Sequence, residues 1–565
     1  MSARVAVLVP WVGFGRPPVR LAAAVLLTWL ASMGCGTAAG PAEPAPAGPA
    51  GPNVNRLVMA VVPPLGESNE TRHLGSPRIW PLRPMYEYLI GMDPESGKQA
   101  PQLATEWRVE PNGQTFRFKL RQGVQFHGGH GQFEGKDLQQ PLIEVSKDDS
   151  LAGAAPFWRQ AVKNIEVLSP HEVLYHLQRP DGQFLSTLSE DRGGMEIFSK
   201  NHFDKIGPPK MTDEPLAGTG PYAFQERAQS VYVRFRRTAF PHWRTTPDFP
   251  EFEFRLLKES STRLAALLTG EAHLADLSED LKVNAQKQGF ESRTGRVSAL
   301  RLFMTIYCCF LNDPKDPGKG YVNTESPLLD LRVRKALDKA INREAINRAF
   351  LGGRAQLMMA NPFNPSRLGW DPQWEQLYWQ EYGYDPAAAK QLLADAGYGP
   401  TNPLKTNIFL IEASGFANGP DMAEAIAAYW TAIGVKADLL KVDTDEMTRQ
   451  SRLFKYTNHY AIVGTSSDVF TGTTSRGYSF GSRGSGLEAP DADAAMFQVN
   501  NTLDEKRQDE LFRRIGTVRL LQHQSGPLFW VPAEILVNPR IVGAYLYPGA
   551  VTGTFSHVQN IKAAR

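Results

Sequence analysis

The stretch 101–138, PQLATEWRVEPNGQTFRFKLRQGVQFHGGHGQFEGKDL, constrains the fold more than any other part of the chain. Trp107 and Val109 alternate with Arg108 and Glu110. Pro111-Asn112-Gly113 supplies the residue types that close a turn: Pro presets φ, Asn tolerates left-handed backbone and Gly carries no Cβ penalty. Phe116, Phe118 and Leu120 then alternate with Arg117 and Lys119. This spacing predicts a β-hairpin with one apolar and one wet face. A second turn at Arg121-Gln122-Gly123 leads to Val124 and Phe126, again in alternation.

A chain of 565 residues is too long for a single small domain, and two or three lobes are expected. A net charge of +2 argues against a nucleic-acid footprint. Cys35, Cys308 and Cys309 offer no disulfide framework. Adjacent Cys308 and Cys309 would face opposite ways on a strand, and they read as two small buried hydrophobes.

Arg4, Arg16 and Arg20 precede an apolar run from Leu21 to Ala31, too short to span a bilayer comfortably and suited to a secretory signal. Ser32-Met33-Gly34-Cys35 follows and resembles a bacterial lipoprotein cleavage box, with Ser32 where Leu is usual. Residues 36–52 are almost all Gly, Ala and Pro and have nothing to bury, so a disordered tether is expected.

The hairpin stretch carries a resemblance as well. Leu103-Ala104-x-x-Trp107, Gly113, Phe116-x-Phe118-x-Leu120-Arg121-x-Gly123-Val124-x-Phe126-His127 and Asp137-Leu138 resemble the family-5 extracellular solute-binding proteins of oligopeptide, dipeptide and nickel ABC importers. The family reads F-H-D-G and then F-x-A-x-D-V, whereas this chain has a longer loop without the acid, His127-Gly128-Gly129-His130 and then Phe133 to Leu138. Gly218-Thr219-Gly220-Pro221-Tyr222, the run Asp330 to Glu344 and Tyr384-Asp385-Pro386 through Gly397-Tyr398 extend the resemblance. Within the second of these, Val333, Leu337, Ala340 and Ile341 share a helical stripe, while Arg332, Arg334 and Lys335 read as a solvated face. Met85 to Ile90 resembles a family helix, and Val297 to Leu311 a strand that crosses between lobes.

The resemblance implies an α/β class II periplasmic-binding-protein fold, two lobes around a ligand cleft. Residues 1–35 would be the signal peptide with its cleavage box and 36–52 the tether. Residues 53–296 with 525–565 would form lobe I, and 297–524 lobe II. It implies a monomer that captures a peptide or other small solute and passes it to an ABC permease in the inner membrane, held to the membrane by a lipid on Cys35, without catalysis, cofactor or metal. A secreted enzyme using the cleft, and a binding module serving as sensor or chaperone, are the alternatives. The family places an acidic loop in 460–485, and peptide binders use its Asp for the ligand's α-amino group. Asp468 stands at a matching position, without the usual Trp and Pro neighbours. Leu65 and Gly66 after the first strand, Tyr307 on the crossing strand, and Arg476 and Tyr478 in the Asp468 loop are further candidates. His127-Gly128-Gly129-His130 could set two imidazoles on one metal, but no third ligand lies near, so it reads as a surface turn.

If Cys35 carries the lipid, a Cys35→Ala variant moves from the membrane to the soluble fraction. Wild-type protein that is already soluble and uncleaved at Gly34 would contradict the anchor.

Overall fold

The computed structural model describes residues 54–565 except 65–66, 75–79, 153, 191–194, 211–212, 314–315, 366–367, 412–417, 443–446, 448–449, 452, 467–486, 489 and 550–554. The signal segment, Cys35 and the tether lie outside the described residues, and no described helix is long and apolar enough to cross a membrane.

The expected hairpin forms from Ala104–Val109 and Thr115–Leu120, with Trp107 opposite Phe118 and Val109 opposite Phe116. Val162–Ser169 and Glu172–Leu177 complete a four-stranded antiparallel sheet, pairing Ile165 with Tyr175 and Val167 with Val173. The apolar faces of the central strands are buried, and the rings of Phe118, Tyr175 and Phe184 pack with centroids 5.4–6.4 Å apart.

The main sheet has eleven strands. Its spatial order runs Lys436–Lys441, Lys405–Leu410, His459–Ser466, Glu291–Tyr307, Gly526–Val537, Leu274–Ala275, Arg56–Val61, Glu251–Leu256, Tyr232–Arg237 and Tyr222–Ala228, with Gln356–Leu357 paired to Gly526–Val537 off this path. Arg56–Val61 is buried on both faces: Leu57, Met59 and Val61 enter one core, Val58 and Ala60 another. That double burial is why its sequence is a continuous apolar run.

Glu291–Tyr307 and Gly526–Val537 are the long strand and the return strand. They pair antiparallel, Glu291 opposite Val537 and Met304 opposite Gly526, with register shifts around Ser298. Pro532 has no N–H to donate, and it stands opposite Ser298, where the ladder is irregular. Ala533, Ile535 and Val537 join the core of Leu57 and Phe118, whereas Leu528 and Phe529 join the core of Leu302, Val333 and Trp430. The pair of strands therefore belongs to two separate cores.

Helix Leu331–Lys339 opens on Asp330, whose carboxylate accepts from Arg332 N, and buries Val333 and Leu337. Arg334 does not lie on a solvated face. It is buried, and its guanidinium donates to the carbonyls of Gln522, Leu328 and Leu329 at 2.6–3.0 Å. Carbonyls at the ends of neighbouring elements need donors, and a guanidinium supplies several in a fixed fork. Helix Pro386–Asp395 opens on Asp385, whose carboxylate accepts from Ala388 N, and Gly397 lies past its end at φ 88°.

Three further expectations are corrected. Residues 85–90 form no helix: a 3-10 segment, Trp80–Met85, carries Pro81 and Pro84, and Tyr88 spends its N–H on Gln102 and its carbonyl on Leu103. His127 is not on a surface turn; it is buried, and His130 stacks on His202 instead of converging with it. Cys308 and Cys309 are both fully buried, as small hydrophobes would be, but they are joined in a disulfide.

The buried His127 ties two of the sequence motifs together. Its N–H donates to Gly218 O, and Nε2–H donates to Gly220 O at 2.7 Å, while Nδ1 has no partner among the described residues. Side chains at 218 and 220 would meet the backbone carbonyls of Met85 and Pro84, so glycine is required at both. Burial pushes the His127 imidazole down to about 4. The unfolded chain therefore takes up this proton first as pH falls. The contribution is complete above the ordinary value near 6.5 and is lost progressively toward pH 4, by about 3 kcal/mol at most. Urea unfolding at pH 7.5, 5.5 and 4.5 should show stability falling with pH in wild type and a shallower fall in His127→Gln.

Candidate functional site

Strand alternation sorts the second half of the long strand onto two faces. Leu302, Met304 and Ile306 enter the core beneath helices Leu331–Lys339 and Gly419–Ala432. Arg301, Phe303, Thr305 and Tyr307 take the opposite face and are all at least 97% buried. The neighbouring strands continue that face. Val463 and Ala461 stand opposite Phe303 and Thr305, His459 stands opposite Tyr307, and Phe409 is registered with Ala461.

At one end of this face Arg301 lies over the Phe303 ring, 4.6 Å from its centroid, and donates to Asn361 Oδ1 at 2.9 Å. Asn361 in turn donates to Ser525 Oγ at 3.0 Å, just before the return strand. Phe303 packs with Met358 and Trp530, and the indole N–H of Trp530 is buried without a partner among the described residues. At the other end Tyr307, Phe409, Tyr456 and His459 form a cluster with ring centroids 4.7–6.1 Å apart. His459 Nε2 contacts the Asn407 amide at 3.2 Å, and desolvation holds its imidazole down to about 4, so it is neutral at physiological pH. The face and its neighbours gather a buried cation, an indole N–H and several ring faces along one strand ladder.

Of the residues singled out from sequence for ligand contact, Tyr307 alone falls in the described part. It is 3% exposed, in the aromatic cluster of the long strand's odd-numbered face. Leu65, Gly66, Asp468, Arg476 and Tyr478 lie outside the described residues, as does Cys35. Arg301, Phe303, Phe409, His459 and Trp530, which lie on or beside this face, carry no signal in the family motifs. A usable signal existed in 300–307, where even positions are all aliphatic and odd positions carry Arg, Phe, Thr and Tyr. Among the described residues no group of three or more His, Cys, Asp or Glu is arranged to hold a metal.

Comparison with known proteins agrees with this architecture. The model for bacterial extracellular solute-binding proteins, family 5 Middle, matches residues 98–486. The dipeptide-binding protein of Escherichia coli is 25% identical over 391 residues, covering 65% of this chain and 68% of its own. Heme-binding protein A of Haemophilus influenzae is 25% identical over 506 residues, covering 81% and 84%. The solved periplasmic binding protein DppA of Helicobacter pylori, in complex with the peptide STSA, superposes with TM-score 0.66 at 20% identity, covering 90% of this chain and 98% of that one. The fold is the α/β two-lobed fold of the periplasmic binding proteins, and the chain belongs to the bacterial extracellular solute-binding proteins of family 5.

Proposed function

We propose that this protein captures a peptide between two lobes, residues 53–296 with 525–565 and residues 297–524, and delivers it unchanged to an ABC permease. The observation that carries this reading is the crossing of one paired ribbon between two cores, with a face of rings and a buried cation beside it. A peptide matches such a face, because it brings a carboxylate for cationic and N–H groups and side chains for the rings. Ligand contacts made to both lobes at once favour the closed state over the open one. The similarity to a dipeptide-binding protein supports the same ligand class.

After export and cleavage of the signal peptide, a lipid on Cys35 and the tether 36–52 would hold a monomer at the membrane, within reach of its permease. The reading involves no catalysis and no cofactor. Purified protein incubated with di- to tetrapeptides should leave their masses unaltered, whereas hydrolysis would favour a cleft enzyme.

A second reading is a planar aromatic cargo. The ring cluster around neutral His459 suits one, and the match to a heme-binding protein spans more of the chain than the dipeptide-binding match. Mass spectrometry of ligand retained through native purification distinguishes the two: peptides support the first, a porphyrin the second.

Asp468 is proposed as the anchor for the ligand's amine, with Tyr307 among the walls and Leu65, Gly66, Arg476 and Tyr478 as further contacts. A carboxylate in a water-poor cleft makes a strong charge-assisted bond. Asp468→Asn should weaken binding of the retained peptide by about 2–5 kcal/mol in titration calorimetry and leave the melting temperature of the empty protein nearly unchanged. Unchanged affinity would remove Asp468 from the site.

A further inference from the structure

The chain changes character where the long strand meets its two cysteines. Consecutive side chains on an extended strand point to opposite faces, so a bond between consecutive sulfurs cannot form on one. The strand ends at Tyr307, the Cys308 and Cys309 sulfurs are joined, and Cys309 sits at φ 63°, a left-handed conformation uncommon for residues other than glycine. Both cysteines lie in the core of Leu302, Met304 and Ile306. Continued alternation would instead put Cys309 beside Tyr307, on the face of rings.

The turn has a second effect. The Cys309 carbonyl accepts from Glu488 N at 3.4 Å, and Leu311 N donates to the Glu488 carboxylate at 2.7 Å. Glu488 is 2% exposed, so this exchange is shielded from water and ties the end of the long strand to the chain around Leu487. Leu311 also bridges to Tyr321.

We propose that the Cys308–Cys309 pair is a thiol–disulfide switch that sets where the long strand ends. In the oxidised form the bond enforces the left-handed turn and the Glu488 tie. A dithiol reductant breaks the sulfur–sulfur bond, delivers one electron and one proton to each sulfur, and is itself oxidised to a disulfide. The freed residues regain strand alternation, Cys309 turns toward Tyr307, and the Cys309 and Leu311 backbone groups leave Glu488. Extracytoplasmic compartments are oxidising, which makes the disulfide the resting form. Both sulfurs are fully buried, so reduction proceeds through a local opening of this corner.

The test uses the full chain purified without reductant. Alkylation after unfolding, mapped by peptide mass, should find no free thiol at 308 or 309. After reduction, hydrogen exchange in peptides spanning 307–312 should quicken by roughly tenfold or more, the consequence of losing one hydrogen bond to a charged group. Glu488→Gln should quicken the same peptides in the oxidised protein without freeing thiols. Two alkylatable thiols in the unreduced protein would overturn the proposal, and so would unchanged exchange after complete reduction. A Cys308→Ser/Cys309→Ser variant should match the reduced protein; if it does not fold, reduced wild type carries the comparison. None of these readouts uses a ligand, so they stand or fall separately from the peptide reading.

Discussion

The pairing of the long strand with the return strand is the constraint on which the rest of the structure depends. Their ladder runs from Glu291 opposite Val537 to Met304 opposite Gly526, and it is the element common to two cores that otherwise keep separate residues. A hydrogen-bonded ribbon resists stretching and shear but yields to bending and twist, most readily where pairing is irregular. Two of its three irregularities fall around Ser298 and Pro532, between the two cores, and the third at Leu302 and Phe303. Arg354, from the residues following Ser298, reaches back across this junction to Glu279 at 2.5 Å and Glu534 at 2.9 Å. Arg354 and Glu279 are partly exposed, whereas Glu534 is buried.

One buried network of ionisable groups lies beside the same ribbon. Asp338 holds Arg343 and His523 at 2.7 Å each, immediately before the return strand begins. Glu381, which accepts from His523 and pairs with Lys335 at 2.6 Å, is held down to about 2 by those donors. Removing one member would strand a charge in the interior, which costs far more than the pair contributes. This network fixes how Leu331–Lys339 and the helix ending at Leu521 deliver the chain into the return strand, and so where Arg301, Asn361 and Ser525 meet.

Much of this was legible in residue order because local rules and tertiary demands coincide. The 104–120 hairpin and the buried helical stripe of Val333 and Leu337 both formed where spacing indicated. The misreadings have a common cause, since each residue's role depends on a partner distant in sequence. Arg334 looked solvated because its acceptors lie 188 residues away at Gln522 as well as nearby. His127 looked like turn surface because its acceptor is Gly220. The cysteine pair looked like strand because alternation assumes no bond between neighbours. On the odd-numbered face of the long strand, sequence pointed to Tyr307 but not to Arg301 or Trp530, whose meeting depends on the register between two strands more than 200 residues apart.

If ligand draws the two lobes together about this ribbon, small-angle X-ray scattering reads the closure. Protein stripped of ligand by partial unfolding and refolding should scatter with a larger radius of gyration than the same protein after its released ligand is returned. The change should saturate at one ligand per chain. Scattering that stays identical while calorimetry reports stoichiometric binding would mean that ligand does not draw the lobes together.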